Sequence, residues 1–414
     1  MPEAPLTREA ALAADAADEL AFLREEFVLP PGVVYLDGNS LGALPRATAA
    51  RLREVVEREW GERLIRSWNE SGWIDLPARV AARIAGLVGA APDEIAVADS
   101  TSVNLFKLLA GALRLRPGRR VILSEAENFP SDLYVAQGLA SLVEGVELRL
   151  VPRAGLEAAL DERVAVLMLT QVDFRTGEIH DITAWTEAAH AKGALALVDL
   201  SHSAGAMAIG LDGSGVDLAV GCGYKYLNGG PGAPAYAFVA RRHQDAFATP
   251  LAGWMGHAEP FAFDVSYRPA PGIARLACGT PAILSLTALE CGVETIERGG
   301  VARLRRKSVA LTDLFILLVE QECAGLGLAL ASPREAERRG SQVSLRHPEG
   351  YAIVQALIAR GVIGDFRAPD LLRFGLAPAY LRFVDVWDAV AALRTVMAER
   401  EWARPQHRAR AKVT

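Results

Sequence analysis

Lys225 stands between two tyrosines in "GCGYKYLNGGPG" (221–232), a stretch crowded with glycine. A lysine amine becomes a nucleophile when burial or neighbouring groups lower its pKa, and it then forms a Schiff base with an aldehyde. A lone Gly-x-Lys would also suit a solvated surface turn. Asp199 argues for chemistry. It ends the apolar run "GALALVDL" (193–200), and an acid at the tip of a buried strand is costly without a partner. A pyridinium nitrogen is such a partner. Pyridoxal 5'-phosphate is held by a lysine Schiff base and an acidic residue at the ring nitrogen, which keeps the ring an electron sink.

That cofactor also needs an anion cradle and a surface for its ring. "DSTSVNLFKLL" follows the strand pattern "EIAVA" and opens a helix, with Thr101 and Ser102 at its N-terminus. Free backbone N–H groups and the helix dipole favour an anion there, although ordinary N-capping uses the same residues. Phe129 in "ENFPSD" could stack on a flat ring, or pack in a core beside a turn proline. No Gly-x-Gly-x-x-Gly fingerprint occurs, which argues against a Rossmann dehydrogenase.

The elements that must position these residues are legible as patterns. Seven short apolar runs read as strands: 94–99, 119–125, 146–152, 163–170, 193–200, 216–221 and 235–240. They are nearly continuous in Val, Leu, Ile and Ala, as in a parallel sheet buried on both faces. Amphipathic stretches lie between them, such as "SVNLFKLLAGALRL" and "ITAWTEAAHAKG", the second ending on a Lys-Gly stop. The alternation predicts an α/β layer architecture. After about residue 276 the texture changes to long helices, short strand patterns and a final helix near 384–402, which predicts a smaller α+β unit. Ligands of open α/β sheets bind outside the carboxyl ends of the strands, and the candidate residues fall at those ends.

The bulk numbers exclude several classes. At 414 residues the chain predicts about two domains of roughly 150 to 200 residues. A hydrophobic share of 51%, a charged share of 23% and a net charge of −6 describe a globular chain without the basic face of a nucleic-acid binder. The four cysteines, at 222, 278, 291 and 323, form no Cys-x-x-Cys pair and predict free thiols in a reducing cytosol. The acidic N-terminus lacks an apolar core, so no signal peptide is expected. No apolar run is long enough to span a bilayer. The basic tail "RPQHRARAKVT" predicts a frayed, solvated end.

Eight ordered motifs, "YLDGNSLG", "TSVNLFKLL", "NFPSDLY", "LTQVDFRTGEIHDI", "LVDLSHSAGAM", "GCGYKYLNGGPG", "GWMGH" and "GTPAILSL", resemble the kynureninase family, from about Tyr35 to about Pro378. The resemblance implies fold type I of the pyridoxal-phosphate enzymes, near the class V aminotransferases. That fold has a mainly parallel seven-stranded sheet flanked by helices, plus a smaller α+β C-terminal domain. It implies an N-terminal segment (1–45) packing with the small domain, a large cofactor domain (46–275) and a small domain (276–414). Lys225 resembles the Schiff-base lysine and Asp199 the partner of the ring nitrogen. Phe129 resembles the stacking ring, and Asp132 and His202 further contacts around the cofactor. Thr101, Ser102 and Thr170 resemble contacts to its phosphate and ring oxygen, and Tyr224 the phosphate-binding tyrosine. Trp254 and Thr280 match residues given to the phosphate of a neighbouring subunit, which implies a homodimer. Arg373 matches the arginine for the substrate α-carboxylate, where a planar fork suits a carboxylate; on spacing alone, a surface arginine flanking a helix stays open.

The implied reaction is hydrolysis of L-kynurenine to anthranilate and L-alanine, in the cytoplasm, without nucleic acid, membrane or metal. "REWGERLIRSWNESGW" and "ARLACGTPAIL" contain no histidine, which resembles the bacterial type that prefers the substrate without a 3-hydroxyl group. A class V aminotransferase would share Lys225 and Asp199. A cysteine desulfurase or selenocysteine lyase would need a reactive cysteine, and Cys323 in "ILLVEQECAGLG" reads as an inert helix end. An inactive cofactor-binding homologue would be expected to lose Lys225 or Arg373, and both are present.

Overall fold

A computed structural model describes residues 7–410. All seven expected strands form, as β1 (Ile95–Ala98), β2 (Val121–Glu125), β3 (Glu147–Val151), β4 (Val164–Thr170), β5 (Leu195–Asp199), β6 (Leu218–Gly221) and β7 (Ala235–Val239). They make one sheet in the order β1-β7-β6-β5-β4-β2-β3. Only β7 runs against its neighbours, pairing antiparallel with β1 and β6. Every residue of β2, β4, β5, β6 and β7 is buried, because helices cover both faces of the sheet. The helices include α1 (Arg8–Ala16), α2 (Arg46–Glu54), α3 (Leu76–Val88), α4 (Thr101–Leu115), α5 (Pro130–Leu142) and α6 (Ile182–Ala191).

The C-terminal part holds α7 (Ile283–Gly299), α8 (Val301–Glu322), α9 (Gly350–Ala359) and α10 (Phe383–Ala398). Beside them lies an antiparallel sheet in the order β8-β9-β11-β10, built from β8 (Ala329–Leu330), β9 (Gln342–Arg346), β10 (Asp365–Arg367) and β11 (Leu371–Gly375). The N-terminal segment reaches across to this part. Val34–Tyr35 pairs in parallel with Val362–Ile363, and Arg8 on α1 pairs with Asp388 on α10. Among the described residues no helix is long and apolar enough to cross a membrane.

Over its described part the tail is solvated as expected, with every residue from 404 to 410 exposed except His407, but it is ordered and not frayed. Pro405–Arg408 forms a short helix and His407 is buried. Arg408 lies over Trp402 at 5.8 Å, and Arg410 over Tyr351 at 5.4 Å. Stacking on aromatic faces, which a charge count does not reveal, anchors these arginines. Residues 411–414 of the tail lie outside the described residues.

The segment after β6 is pressed between two other parts of the chain. Gly42 N donates to Tyr224 O at 2.8 Å, and a Cβ at Gly42 would lie 2.3 Å from Lys225 O. On the other side, a Cβ at Gly292 of α7 would lie 2.3 Å from Leu227 O. Both contacts are with backbone, which cannot swing away. Gly292→Ala is therefore expected to lower stability by about 1–3 kcal/mol in urea unfolding and to loosen the 224–228 segment; an unchanged midpoint would remove this constraint.

Candidate active site

The candidate residues meet at the carboxyl edge of the large sheet. Thr170 and Asp199 end β4 and β5 and are register partners. Asn128 and Phe129 follow β2, His202 follows β5, and Tyr224 and Lys225 follow β6. Thr101 and Ser102 open α4, just beyond β1. Thr101, Ser102, Phe129, Asp132, Thr170, Asp199, His202, Tyr224 and Lys225 all line one cleft of about 90 Å³. Thr101 and Tyr224 also face a larger adjoining cavity of about 1090 Å³.

The turn into α4 is held from behind. Asp99 takes the left-handed backbone region, with φ 51°. Lys107, fully buried, donates to the Asp99 carboxylate and to Leu276 O at 2.7 Å. Ser100 caps the helix by accepting from Val103 N at 3.4 Å. The first N–H groups of a fifteen-residue helix thus face the cleft beside Thr101, whose buried Oγ1 has no protein partner.

Asp199 and Asp132 crowd one another in the interior. Burial raises the Asp199 carboxyl, against the Ser201 hydrogen bond and the Lys225 charge. Burial and then the Asp199 charge push Asp132 well above the usual carboxylate range. Ser201 N donates to Asp199 Oδ1 at 2.7 Å. Thr170 Oγ1 donates to Asn128 Oδ1 at 2.6 Å. Two buried acids without an arginine between them suit a cationic ligand nitrogen. Burial, then the charges of Lys225, Arg373 and Arg367, hold His202 well below its ordinary pKa, and its buried Nδ1 has no protein partner. Burial is also the main cause that raises the Tyr224 phenol, which stays protonated. Lys225 Nζ lies 5.7 Å from the centroid of the Phe129 ring, and Phe174 meets that ring edge-on at 5.1 Å.

An aromatic face at Phe129, a helix N-terminus and a buried acid at Asp199 in one cleft fit a ligand such as pyridoxal phosphate. The unpartnered Thr101 Oγ1 and His202 Nδ1 are the groups such a ligand would satisfy.

Arg373 is not a surface arginine. It sits in β11 at 2% exposure. Its Nε donates to Asp365 Oδ1 at 2.7 Å and its Nη1 to Phe174 O at 2.6 Å, which ties it to the cleft wall. Trp254 and Thr280 do not enter the cleft. Thr280 lines the larger cavity, and Trp254 is 40% exposed. Residues that the sequence did not single out are also present. Ser131, Phe174 and Ser201 line the cleft, all within motifs quoted above, while Asp365 carries no local signal.

The chain is 56% identical to a kynureninase of Burkholderia mallei, over 99% of this chain and 100% of that protein. It is 52% identical to one of Pseudomonas fluorescens with the same coverage. The chain belongs to the kynureninase family. Residues 304–393 match the kynureninase C-terminal domain. Among solved structures, a cysteine desulfurase of Thermococcus onnurineus is similar with a TM-score of 0.78, at 20% identity, covering 92% of this chain and 98% of that one. The cysteine desulfurase CsdA of Escherichia coli is similar with a TM-score of 0.77, at 18% identity, covering 92% and 99%. These likenesses show the fold, type I of the pyridoxal-phosphate enzymes, and the kynureninase relatives show the family.

Asp199→Asn keeps an oxygen to accept from Ser201 N but removes the charge. The variant is expected to melt within a few degrees of the wild type and to bind pyridoxal phosphate about tenfold or more weakly in a fluorescence titration; unchanged affinity would take Asp199 away from the ring nitrogen.

Proposed function

We propose that this chain hydrolyses L-kynurenine to anthranilate and L-alanine, with pyridoxal 5'-phosphate carried on Lys225. The convergence of nine motif residues in one cleft, beside a buried Arg373, supports the reading most strongly. The full-length relatives called kynureninase support the same activity.

In this reading Asp199 holds the ring nitrogen and Phe129 covers a ring face, with Asp132 and His202 beside it. Thr101, Ser102, Tyr224 and the α4 N-terminus take the phosphate, and Thr170 meets the ring oxygen. When bound, the cofactor supplies a covalent seat for the substrate amine and an electron sink for the carbon beside it. Arg373 orients the substrate through its α-carboxylate. The Lys225 amine, released by the substrate, takes the α-proton. Water adds to the substrate γ-carbonyl, and the Cβ–Cγ bond breaks; Cγ leaves as the carboxyl of anthranilate, and the electron pair stays on Cβ, which takes a proton to become the methyl group of alanine. Tyr224 retains its phenolic proton and stands at the cleft wall, so it relays a proton at that step. The absence of histidine in "REWGERLIRSWNESGW" supports plain kynurenine over its 3-hydroxy form.

The active unit in this reading is a homodimer. Trp60, Leu64, Ile65, Phe261 and Phe263 are exposed large apolar residues, which a second copy would cover. Trp254 and Thr280, outside the cleft of their own chain, would serve the phosphate of the partner. The divisions at residues 45 and 275 and a cytoplasmic location belong to the same proposal. Free thiols at all four cysteines support a reducing compartment. A desulfurase reading is disfavoured by Cys323, which is buried and whose thiol burial pushes up to about 11.

Purified, cofactor-loaded protein is expected to release fluorescent anthranilate from L-kynurenine faster than 3-hydroxyanthranilate from 3-hydroxy-L-kynurenine. Lys225→Ala should release neither. Cofactor binding without either product would overturn the reaction and leave the fold. Tyr224→Phe should slow anthranilate release by about 10²- to 10⁴-fold while deuterium still exchanges at the substrate α-carbon by NMR. Equal slowing of both steps would remove Tyr224 from the relay.

A further inference from the structure

The "LDGNSLG" turn has no part in the chemistry described so far, yet it stands behind Arg373. Asp37 forms an isolated parallel bridge with Gly375, two residues along β11 from Arg373. Ser40 N and Leu41 N donate to Asp37 O at 3.0 and 3.1 Å, closing the turn. Ser40 Oγ accepts from Arg373 Nη2 at 3.0 Å and donates to Asp365 Oδ2 at 2.9 Å. Asp365 faces Arg373 across the β10–β11 pair and accepts from both its Nε and its Nη2. Arg367 also pairs with Asp365, at 2.7 Å.

These contacts engage most of the Arg373 donors. A guanidinium has five N–H groups. Nε and one Nη2 hydrogen go to Asp365, the other Nη2 hydrogen to Ser40, and one Nη1 hydrogen to Phe174 O. A single Nη1 hydrogen is left. The edge of the fork that would grip a carboxylate with two parallel bonds is already on Asp365. Attraction of a substrate carboxylate therefore depends strongly on the charge of the whole cluster.

Asp37 is the variable member of that cluster. Its Oδ1 is buried with no partner. Burial and then the Asp365 charge push its carboxyl up to about 7, against the Arg373 and Arg367 charges. Burial also raises Asp365, but the Arg373 hydrogen bond and the two guanidinium charges outweigh it, so Asp365 stays ionised. The other titratable groups facing Asp37 are the phenols of Tyr35, Tyr226 and Tyr380, each raised by burial and neutral. His202, beside the Asn39 backbone, is held neutral as well.

We propose that Asp37 is a positioning residue that sets the charge Arg373 presents to the substrate α-carboxylate. With a proton on Asp37, the cluster of Asp37, Asp365, Arg367 and Arg373 carries one net positive charge. Without that proton it carries none. The sign follows: amino-acid binding is strong below about pH 7 and weakens as pH rises through it. The inference rests on the reading of Arg373 as the carboxylate-binding residue.

The test uses the cofactor-loaded protein and two probes that carry no γ-carbonyl to cleave, L-alanine and ethylamine, followed by the change each makes in the visible absorbance of the cofactor. Dividing one dissociation constant by the other cancels effects on the shared amine. In the wild type the L-alanine to ethylamine ratio is expected to rise by about five-fold between about pH 6 and about pH 8.5, the size of one unit charge lost near a partly buried site. In Asp37→Asn the ratio should stay flat and match the wild type at low pH. The KM for L-kynurenine should follow the same pattern relative to Asp37→Asn while kcat does not. A flat wild-type ratio, or the same rise in Asp37→Asn, would overturn the inference. The wild-type ratio decides alone if the variant does not fold. L-Alanine that leaves the absorbance unchanged at every pH would overturn both this inference and the carboxylate role of Arg373. Failure to release anthranilate, with the ratio rising as described, would overturn the reaction and leave Asp37 standing.

Discussion

The molecule depends on a close backbone approach around Lys225. The segment after β6 runs between the turn at Gly42 and the face of α7 at Gly292, at separations that leave no room for a Cβ on either side. Internal bonds stiffen it, from Asn228 N to Lys225 O at 2.9 Å and from Gly229 N to Gly223 O at 2.9 Å. Tyr226 anchors it further by donating to Ser341 O at 3.0 Å. Three distant parts of the chain thus fix one lysine. This wedge leaves the backbone that carries Lys225 little freedom, which is what the proposed role of its amine requires. The glycines that look permissive in the sequence act here as close-packing residues.

Charge is organised in two contrasting ways on either side of the cleft. Asp365 is buried with two arginines, so its charge is balanced inside the protein. Asp132 and Asp199 are buried without an arginine, and both carboxyls are raised. Two buried acids with only the Lys225 charge beside them are costly in a stable protein. At a binding site they are a demand for a cationic ligand group. The first arrangement braces Arg373 in a rigid, charge-balanced wall. The second leaves an electrostatic vacancy that a pyridinium nitrogen would fill. Arg373 joins the two regions, because the same guanidinium that holds Asp365 also holds the Phe174 carbonyl on the cleft wall.

The legible parts of the chain were those whose signal is local. Strands β4 and β5 read correctly because residues buried on both faces are continuously apolar. Asp199 stood out because an acid breaks such a run at its end. Asn128 and Phe174 lay inside recognisable motifs, but nothing nearby marked Asn128 as the acceptor for Thr170. Asp365 was invisible, since its tie to Arg373 comes from strand register and not from spacing. Lys107 lies on a helix pattern with no hint that its amine is buried against Asp99. The tail read as frayed because charge counts do not register Trp402, Tyr351 and Phe366 as stacking surfaces.

The sequence by itself determined the α/β order, the seven strands, the motif residues at their ends and the family. Each follows from periodicity, from the cost of an isolated acid, or from ordered motifs. Only the tertiary structure decided that nine motif residues share a cleft of about 90 Å³ and that Arg373 lies in a strand with most of its donors engaged. It alone placed the N-terminal Asp37 turn beside β11. The cleft gathers residues from five strand ends, and the Asp37 turn meets β11 through contacts more than three hundred positions apart, such as Ser40 with Asp365 and Arg373; no local pattern encodes such meetings.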